Sequence, residues 1–250
     1  MRHLILILGG TLDARRLAGR LAARDDLDVT LSLAGRTQRP VEQGVPIRSG
    51  GFGGADGLAA YLREHAVALL IDATHPYAAR ISANAARAAE AAGVPLIALR
   101  RPAWRRAAGD RWTEVDGEAE AVRALGTAPR RVFLALGRQE LAPFEAAPQH
   151  HYLVRSVDPV EPRPALAHVR YVTARGPFDE AAEEALLRSE RIDAIVAKNS
   201  GGAATYGKIA AARRLGVEVV LLRRPELPRV RSGDDVEQVA AMAVEMLRAR

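Results

Sequence analysis

Leu4-Ile-Leu-Ile-Leu-Gly-Gly-Thr-Leu-Asp-Ala14 is the stretch that decides the fold. Five apolar residues without polar alternation read as a strand covered on both faces, as strands in parallel sheets are. Gly9-Gly10 interrupt the run. Ala14, Leu17, Ala18 and Leu21 then recur on one face of a helix. Strand, glycine turn and helix start form the arrangement in which backbone N–H groups and the helix dipole hold a pyrophosphate. Aligned to the dinucleotide fingerprint, Gly9, Thr11 and Ala14 take the glycine positions, so Thr11 departs from the pattern where a phosphate approaches closely. Two readings stand: Gly9, Gly10 and Thr11 carry a pyrophosphate, or Thr11 merely caps the helix after a tight turn.

Similar apolar runs recur between Ala/Arg-rich helical stretches, which predicts a doubly wound α/β fold. In the first half they are Leu4–Leu8, Val29–Leu33, Ala66–Ile71 and Val94–Leu99. In the second they are Val132–Leu136, Tyr152–Val157, Val169–Ala174, Ile192–Val196 and Val217–Leu222. In both halves a helix ends in glycine (Gly93, Gly216), a strand follows, and Arg-Arg-Pro comes next (Arg100-Arg101-Pro102, Arg223-Arg224-Pro225). The expectation is two similarly built α/β halves with mainly parallel sheets facing a central cleft. Residues 1–100 form a cofactor-binding domain and 101–250 a substrate domain, closed by an amphipathic helix over 236–250 carrying Val236, Val239, Ala243, Met246 and Leu247.

At 250 residues with no cysteine, the chain excludes disulfides, iron–sulfur clusters and thiolate catalysis. No apolar run reaches membrane-spanning length, and the first strand lacks a cleavage site, so no membrane association and a cytoplasmic location are expected. The net charge of +6 admits nucleic acid, a membrane surface or an anionic small molecule. Because the arginines are spread over the whole chain instead of forming a stripe, no nucleic acid is expected and an anionic substrate is. No metal-ligand spacing appears; His150-His151 reads as a surface pair.

The second strand ends in Ser32-Leu-Ala-Gly-Arg36-Thr37, with arginine where an NAD binder places an acid. Arg36, with Thr37 beside it, suits the 2′-phosphate of NADP, or is a solvated loop arginine. Gly50-Gly-Phe-Gly-Gly54 is a flexible loop that lies against the cofactor or simply connects. Asp72-Ala-Thr-His-Pro-Tyr-Ala78 and Ala197-Lys-Asn-Ser-Gly-Gly202 each follow a buried strand, at the edge where open sheets bind ligands. Of only two lysines, Lys198 and Lys208, the first sits in the second cluster: a compact ammonium with a purpose, or a leftover of arginine-biased composition.

These strings, together with Arg101-Pro-Ala-Trp104 and Arg175-Gly-Pro-Phe178, resemble in order those of the precorrin-6A reductase family, from residue 3 to about residue 225. The resemblance implies two Rossmann-like halves, NADPH as cofactor, and hydride transfer to a ring-contracted tetrapyrrole in cobalamin biosynthesis, giving precorrin-6B. Cobalt-free and cobalt-containing substrates are not separated by it. A substrate rich in carboxylates fits an arginine-rich chain. On this reading Gly9, Gly10, Thr11, Arg36, Thr37 and Thr74 bind the cofactor. His75, Tyr77 and Lys198 are the catalytic candidates: His75 positions the nicotinamide ribose or delivers a proton, and Tyr77 stacks on or donates to the substrate. Asp72 orders its own turn. Lys198, Ser200, Gly201, Gly202 and Thr205 form a donor-rich anion turn for substrate carboxylates, with Arg175 on the same presumed edge. A short-chain dehydrogenase is disfavoured, since neither lysine has a tyrosine four residues before it. A two-domain glycosyltransferase and a non-catalytic nucleotide binder are the remaining alternatives.

Overall fold

The computed structural model describes residues 2–35 and 44–249. In chain order it contains β1 (His3–Leu8), α1 (Leu12–Ala22), β2 (Leu27–Leu33), β3 (Ile47–Ser49), α2 (Ala55–Glu64), β4 (Leu69–Asp72), α3 (Ala79–Ala92) and β5 (Leu96–Leu99). Then come β6 (Trp112–Val115), α4 (Glu118–Leu125), β7 (Arg131–Ala135), β8 (His151–Ser156), β9 (His168–Thr173) and α5 (Glu180–Ser189). The chain ends with β10 (Ala194–Lys198), α6 (Gly207–Leu215), β11 (Glu218–Leu222), β12 (Arg231–Gly233) and α7 (Val236–Arg248). The strands form two six-stranded sheets, ordered β12-β5-β4-β1-β2-β3 and β6-β11-β10-β7-β8-β9. All pairings are parallel.

The unbroken apolar run of β1 is explained by what covers it. Ile5 and Ile7 pack with Leu17 and Leu21 of α1 and Val239 and Ala243 of α7. Leu6 and Leu8 turn the other way, onto Leu58 and Leu62 of α2 and Ala85 and Ala88 of α3. A strand with helices on both faces has no polar side, so alternation disappears. In the second sheet Ile195 and Ala197 of β10 pack with Phe133, Ile209 and Leu221.

The chain divides into one unit of Met1–Pro102 with Pro225–Arg250 and another of Ala103–Arg224. This corrects the reading of 101–250 as one domain. Both boundaries fall at the Arg-Arg-Pro strings, where a proline cannot continue a strand's ladder. After Pro225 the chain returns to the first unit: β12 pairs with β5, Arg100 N donates to Gly233 O at 2.8 Å, and α7 buries Val239, Ala240, Ala243 and Leu247. The second unit is completed in the same way by β6, which pairs with β11, while Arg223 N donates to Val115 O at 2.8 Å. Each sheet thus takes its last strand, and the helix after it, from the segment that follows a crossing.

Two strand starts differ from expectation for one reason. The run at 66–71 begins as a strand only at Leu69, and that at 192–196 only at Ala194. Ala66 (φ 47°) and Arg191 (φ 51°) adopt the left-handed conformation that ends the preceding helix. Among the described residues no helix is long and apolar enough to cross a membrane. Nor, among them, do three or more His, Asp or Glu side chains gather to hold a metal ion.

Candidate active site

In the first unit the strand order reverses at β1, with β2 on one side and β4 on the other. The crevice beyond the carboxyl ends of such a pair is where open α/β sheets bind ligands. Gly9-Gly10-Thr11 and Ala73-Thr74-His75 lead out of these two strands. A Cβ on Gly9 would lie 2.6 Å from Leu31 Cδ1 and 3.3 Å from Ala14 Cβ, so the first and third fingerprint positions pack against each other. Gly10 has φ +110° and would point a Cβ into open space. Backbone conformation, not crowding, therefore demands glycine there. Thr11 is the N-cap of α1: Oγ1 accepts from Ala14 N at 3.0 Å and donates to the Ala73 carbonyl at 3.1 Å. Its hydroxyl faces inward and ties the two strand-end turns together, which accounts for threonine at a position that usually takes glycine.

Asp72, at the end of β4, is buried, and its Oδ1 accepts from Thr74 N at 3.1 Å and Thr74 Oγ1 at 2.6 Å. Its Oδ2 meets Arg100 Nη2 at 2.6 Å. Burial alone would push the carboxyl up, but the Arg100 guanidinium and the hydrogen bonds of Arg100, Ser82 and Thr74 together hold it below its ordinary value. Asp72 is therefore an ionised brace for its turn. Thr74, expected at the cofactor, has its hydroxyl engaged by Asp72. Among the described residues, buried Arg100 Nη1 has no hydrogen-bond partner. The neighbouring Arg101 reaches Asp13 of α1 at 2.6 Å. His75 and Tyr77 are half-buried, with ring centroids 5.6 Å apart. Tyr77 N donates to His75 Nδ1 at 3.3 Å, which puts the proton of a neutral ring on Nε2.

Arg36 and Thr37 lie outside the described residues. The loop over 50–54, expected to be flexible, is gripped by Arg48 of β3. Its guanidinium donates to Gly50 O at 2.6 Å and Gly51 O at 2.8 Å and stacks 3.6 Å from the Phe52 ring centroid.

In the second unit the order reverses at β7, between β8 and β10. Lys198 ends β10, and its Nζ pairs with Glu140 Oε1 at 2.5 Å. Glu140 Oε2 accepts from Gly137 N at 2.6 Å, in the turn that follows β7. The ammonium is thus already matched by a carboxylate that the sequence reading did not single out. The signal was available, since Leu136-Gly137 leaves β7 as Leu8-Gly9 leaves β1. Beyond Lys198, Asn199 clasps Trp104 in both directions, Oδ1 accepting from its N at 2.8 Å and Nδ2 donating to its O at 3.0 Å. Trp104 Nε1 donates to Gly202 O at 2.8 Å, and Arg224 Nε donates to Asn199 O at 2.8 Å. Ser200 and Thr205 are half-buried, Gly201 is buried, and Gly202 and Arg175 are exposed. Phe178 N donates to Ala204 O at 3.0 Å, and a Cβ on Gly207 would meet Phe178 O at 2.7 Å. Trp104, Phe178 and the segment that follows Lys198, distant in sequence, therefore meet at this edge. His150-His151 is not a surface pair. His150 is fully buried and burial pushes its pKa down, whereas His151 is exposed and stacks on His168 at 4.6 Å.

The family model described as "Precorrin-6x reductase CbiJ/CobK" matches residues 4–244. A precorrin-6A reductase of a Sinorhizobium species is 61% identical, over 92% of this chain and 90% of the relative. A cobalt-precorrin-6A reductase of Priestia megaterium is 26% identical, over 98% of this chain and 100% of the relative. A solved structure titled "CobK precorrin-6A reductase" superposes with a TM-score of 0.94 at 49% identity, covering 98% of this chain and 97% of that one. Matched from its first strand into its last helix, the chain belongs to the precorrin-6x reductase family and is an oxidoreductase of cobalamin biosynthesis.

Proposed function

We propose that the chain reduces cobalt-free precorrin-6A to precorrin-6B with NADPH. The observation that carries the cofactor half is the turn at the first unit's switch point, where Gly9 packs on Ala14 and Thr11 caps α1 with its hydroxyl turned inward. That arrangement fits a dinucleotide pyrophosphate, held by backbone amides of Gly9, Gly10 and Thr11 at the start of α1. Arg36 and Thr37 take the 2′-phosphate, and the turn containing Thr74, braced by Asp72, lies on the cofactor side. NADPH, when bound, supplies the hydride. The residues of this chain must then orient it, hold the tetrapyrrole and provide one proton. His75, with its proton on Nε2, orients the nicotinamide end or gives that proton, and Tyr77 borders the same turn. Lys198, Ser200, Gly201, Gly202, Thr205 and Arg175 take substrate carboxylates. The Lys198–Glu140 pair adds a refinement: a substrate carboxylate has to share the ammonium with Glu140, or displace it.

The higher identity to a protein named precorrin-6A reductase than to one named cobalt-precorrin-6A reductase supports the metal-free substrate. The test is NADPH oxidation with enzymatically prepared precorrin-6A, with and without inserted cobalt, and with NADH in parallel. Faster turnover of the metal-free form with NADPH is expected. Preference for the cobalt form overturns the substrate assignment, and equal use of NADH overturns the cofactor assignment.

A further inference from the structure

Lys208 stands where burial and the helix dipole oppose a lysine. It lies in the first turn of α6 and is 5% exposed. A cation there faces the positive end of the helix dipole, and burial strips its water. The charged groups facing it are Arg155 of β8 and Glu183 of α5, which are already matched to each other, Nη2 to Oε2 at 2.9 Å. Burial, and after it the Arg155 charge, push the ammonium down to about 7, with Glu183 opposing.

Among the described residues its hydrogen bond leads to the anion turn. Nζ donates to the Thr205 carbonyl at 2.6 Å and sits 5.1 Å from the centroid of the Trp104 ring. Other grips on this turn, at Asn199, Gly202 and Ala204, come from Asn199's own amide, the Trp104 indole, the Phe178 backbone and Arg224. Lys208 holds the last residue, Thr205, from within the unit's interior, and its charge is lost near neutral pH.

We propose that Lys208 is a positioning residue for substrate binding: its ammonium holds the Thr205 carbonyl inward, so that the donors of the 200–205 turn stay turned toward a substrate carboxylate. The proposal rests on the reading of that turn as the tetrapyrrole site.

The test compares Lys208→Met with the unmodified protein in full pH profiles of kcat and of KM for precorrin-6A, together with NADPH affinity. Lys208→Met removes a buried charge and keeps an unbranched side chain, so it should fold; thermal melting checks this. Loss of one charge-assisted hydrogen bond predicts a tetrapyrrole KM raised about tenfold at pH 6–6.5, with kcat and NADPH affinity unchanged. In the unmodified protein KM should climb as pH passes about 7, where Lys208 loses its proton, and the variant should lack that step. Lys208→Gln, an uncharged donor, should recover part of the lost affinity without the step. Amide exchange in residues 200–205 should quicken in Lys208→Met. An unaltered KM with the pH step intact overturns the proposal, as does a fall in kcat alone. Lys198→Ala separates the two layers. If it weakens tetrapyrrole binding while Lys208→Met does not, only the positioning role fails; if neither does, the reading of the turn fails with it.

Discussion

Removing the Asp72 carboxylate should cost the first unit more than removing both members of its ion pair. Asp72 is 1% exposed, and Arg100 is 18% exposed in its side chain. In Asp72→Ala the guanidinium stays in place without its counter-ion, with Nη1 already lacking a partner among the described residues. Breaking a buried pair from one side costs about 3–5 kcal/mol, and the partial exposure of Arg100 puts this case near 3. Two hydrogen bonds to Thr74 are also lost, each worth about 1–1.5 kcal/mol. Asp72→Ala should therefore lose roughly 5–6 kcal/mol, while the double variant Asp72→Ala/Arg100→Ala should recover about 1–2 of it, since no unpaired charge remains. Both tryptophans, Trp104 and Trp112, lie in the other unit, so their fluorescence is the wrong probe. Hydrogen exchange of β1 and β4 amides in increasing urea reads the first unit directly. The acid limb gives an independent check. Because the folded carboxyl lies below its unfolded value, its contribution is present above about pH 4 and is lost as pH falls through the folded value. Asp72→Asn should flatten that limb. A double variant less stable than Asp72→Ala, or an unchanged acid limb, would refute the brace.

Three further outcomes are expected. Arg36→Ala should weaken NADPH about tenfold to a hundredfold and leave NADH nearly unchanged, by fluorescence titration; equal loss of both shows that Arg36 does not select the 2′-phosphate. Gly10→Val forces a β-branched residue to φ +110° on the open side of the turn. It should abolish binding of both dinucleotides in a protein that remains folded, and a folded variant with normal affinity moves the pyrophosphate elsewhere. Lys208 takes up its proton at about 7 when folded and near 10.4 when unfolded, so the unfolded chain binds more protons between these values and stability should rise with pH across them. Chemical denaturation at several pH values should show that rise, by at most about 4–5 kcal/mol, and Lys208→Met should abolish it.

The sheets were legible in the sequence because their central strands are apolar on both faces. β1, β4, β5, β7, β10 and β11 announce themselves as apolar runs, interrupted by a charge only at Asp193 and Glu218. Three of the four edge strands do not, whereas β9 is legible as Val169–Ala174. Ile47-Arg-Ser49, Trp112-Thr-Glu-Val115 and Arg231-Ser-Gly233 are short and partly polar, since an edge strand has one neighbour and a more open face. At the site, the glycine turn, the Asp72 brace and the strand-end cluster at Lys198 follow from local order alone. Glu140, Arg100 and Lys208 do not, because each acts on a residue far from it in sequence or, for Lys208, through burial that no local pattern reveals.

The crossings explain why a reading by halves fails at its end. Local pattern fixes α7 as an amphipathic helix, and it forms almost as expected. Nothing local says which sheet its apolar face covers. In the structure that choice is made by β12, whose Arg231 and Gly233 register against Ile97 and Leu99 and so deliver α7 to α1. The first crossing does the same for β6 and α4 at β11. The Arg-Arg-Pro echo was therefore a mark of topology: after each of these strands the next residue donates to the incoming edge strand, Arg100 to Gly233 and Arg223 to Val115, and the proline ends the ladder. Neither sheet is complete until the chain has crossed. The first unit, which carries the glycine turn, needs the last 26 residues to cover Leu17 and Leu21 of the helix that this turn begins.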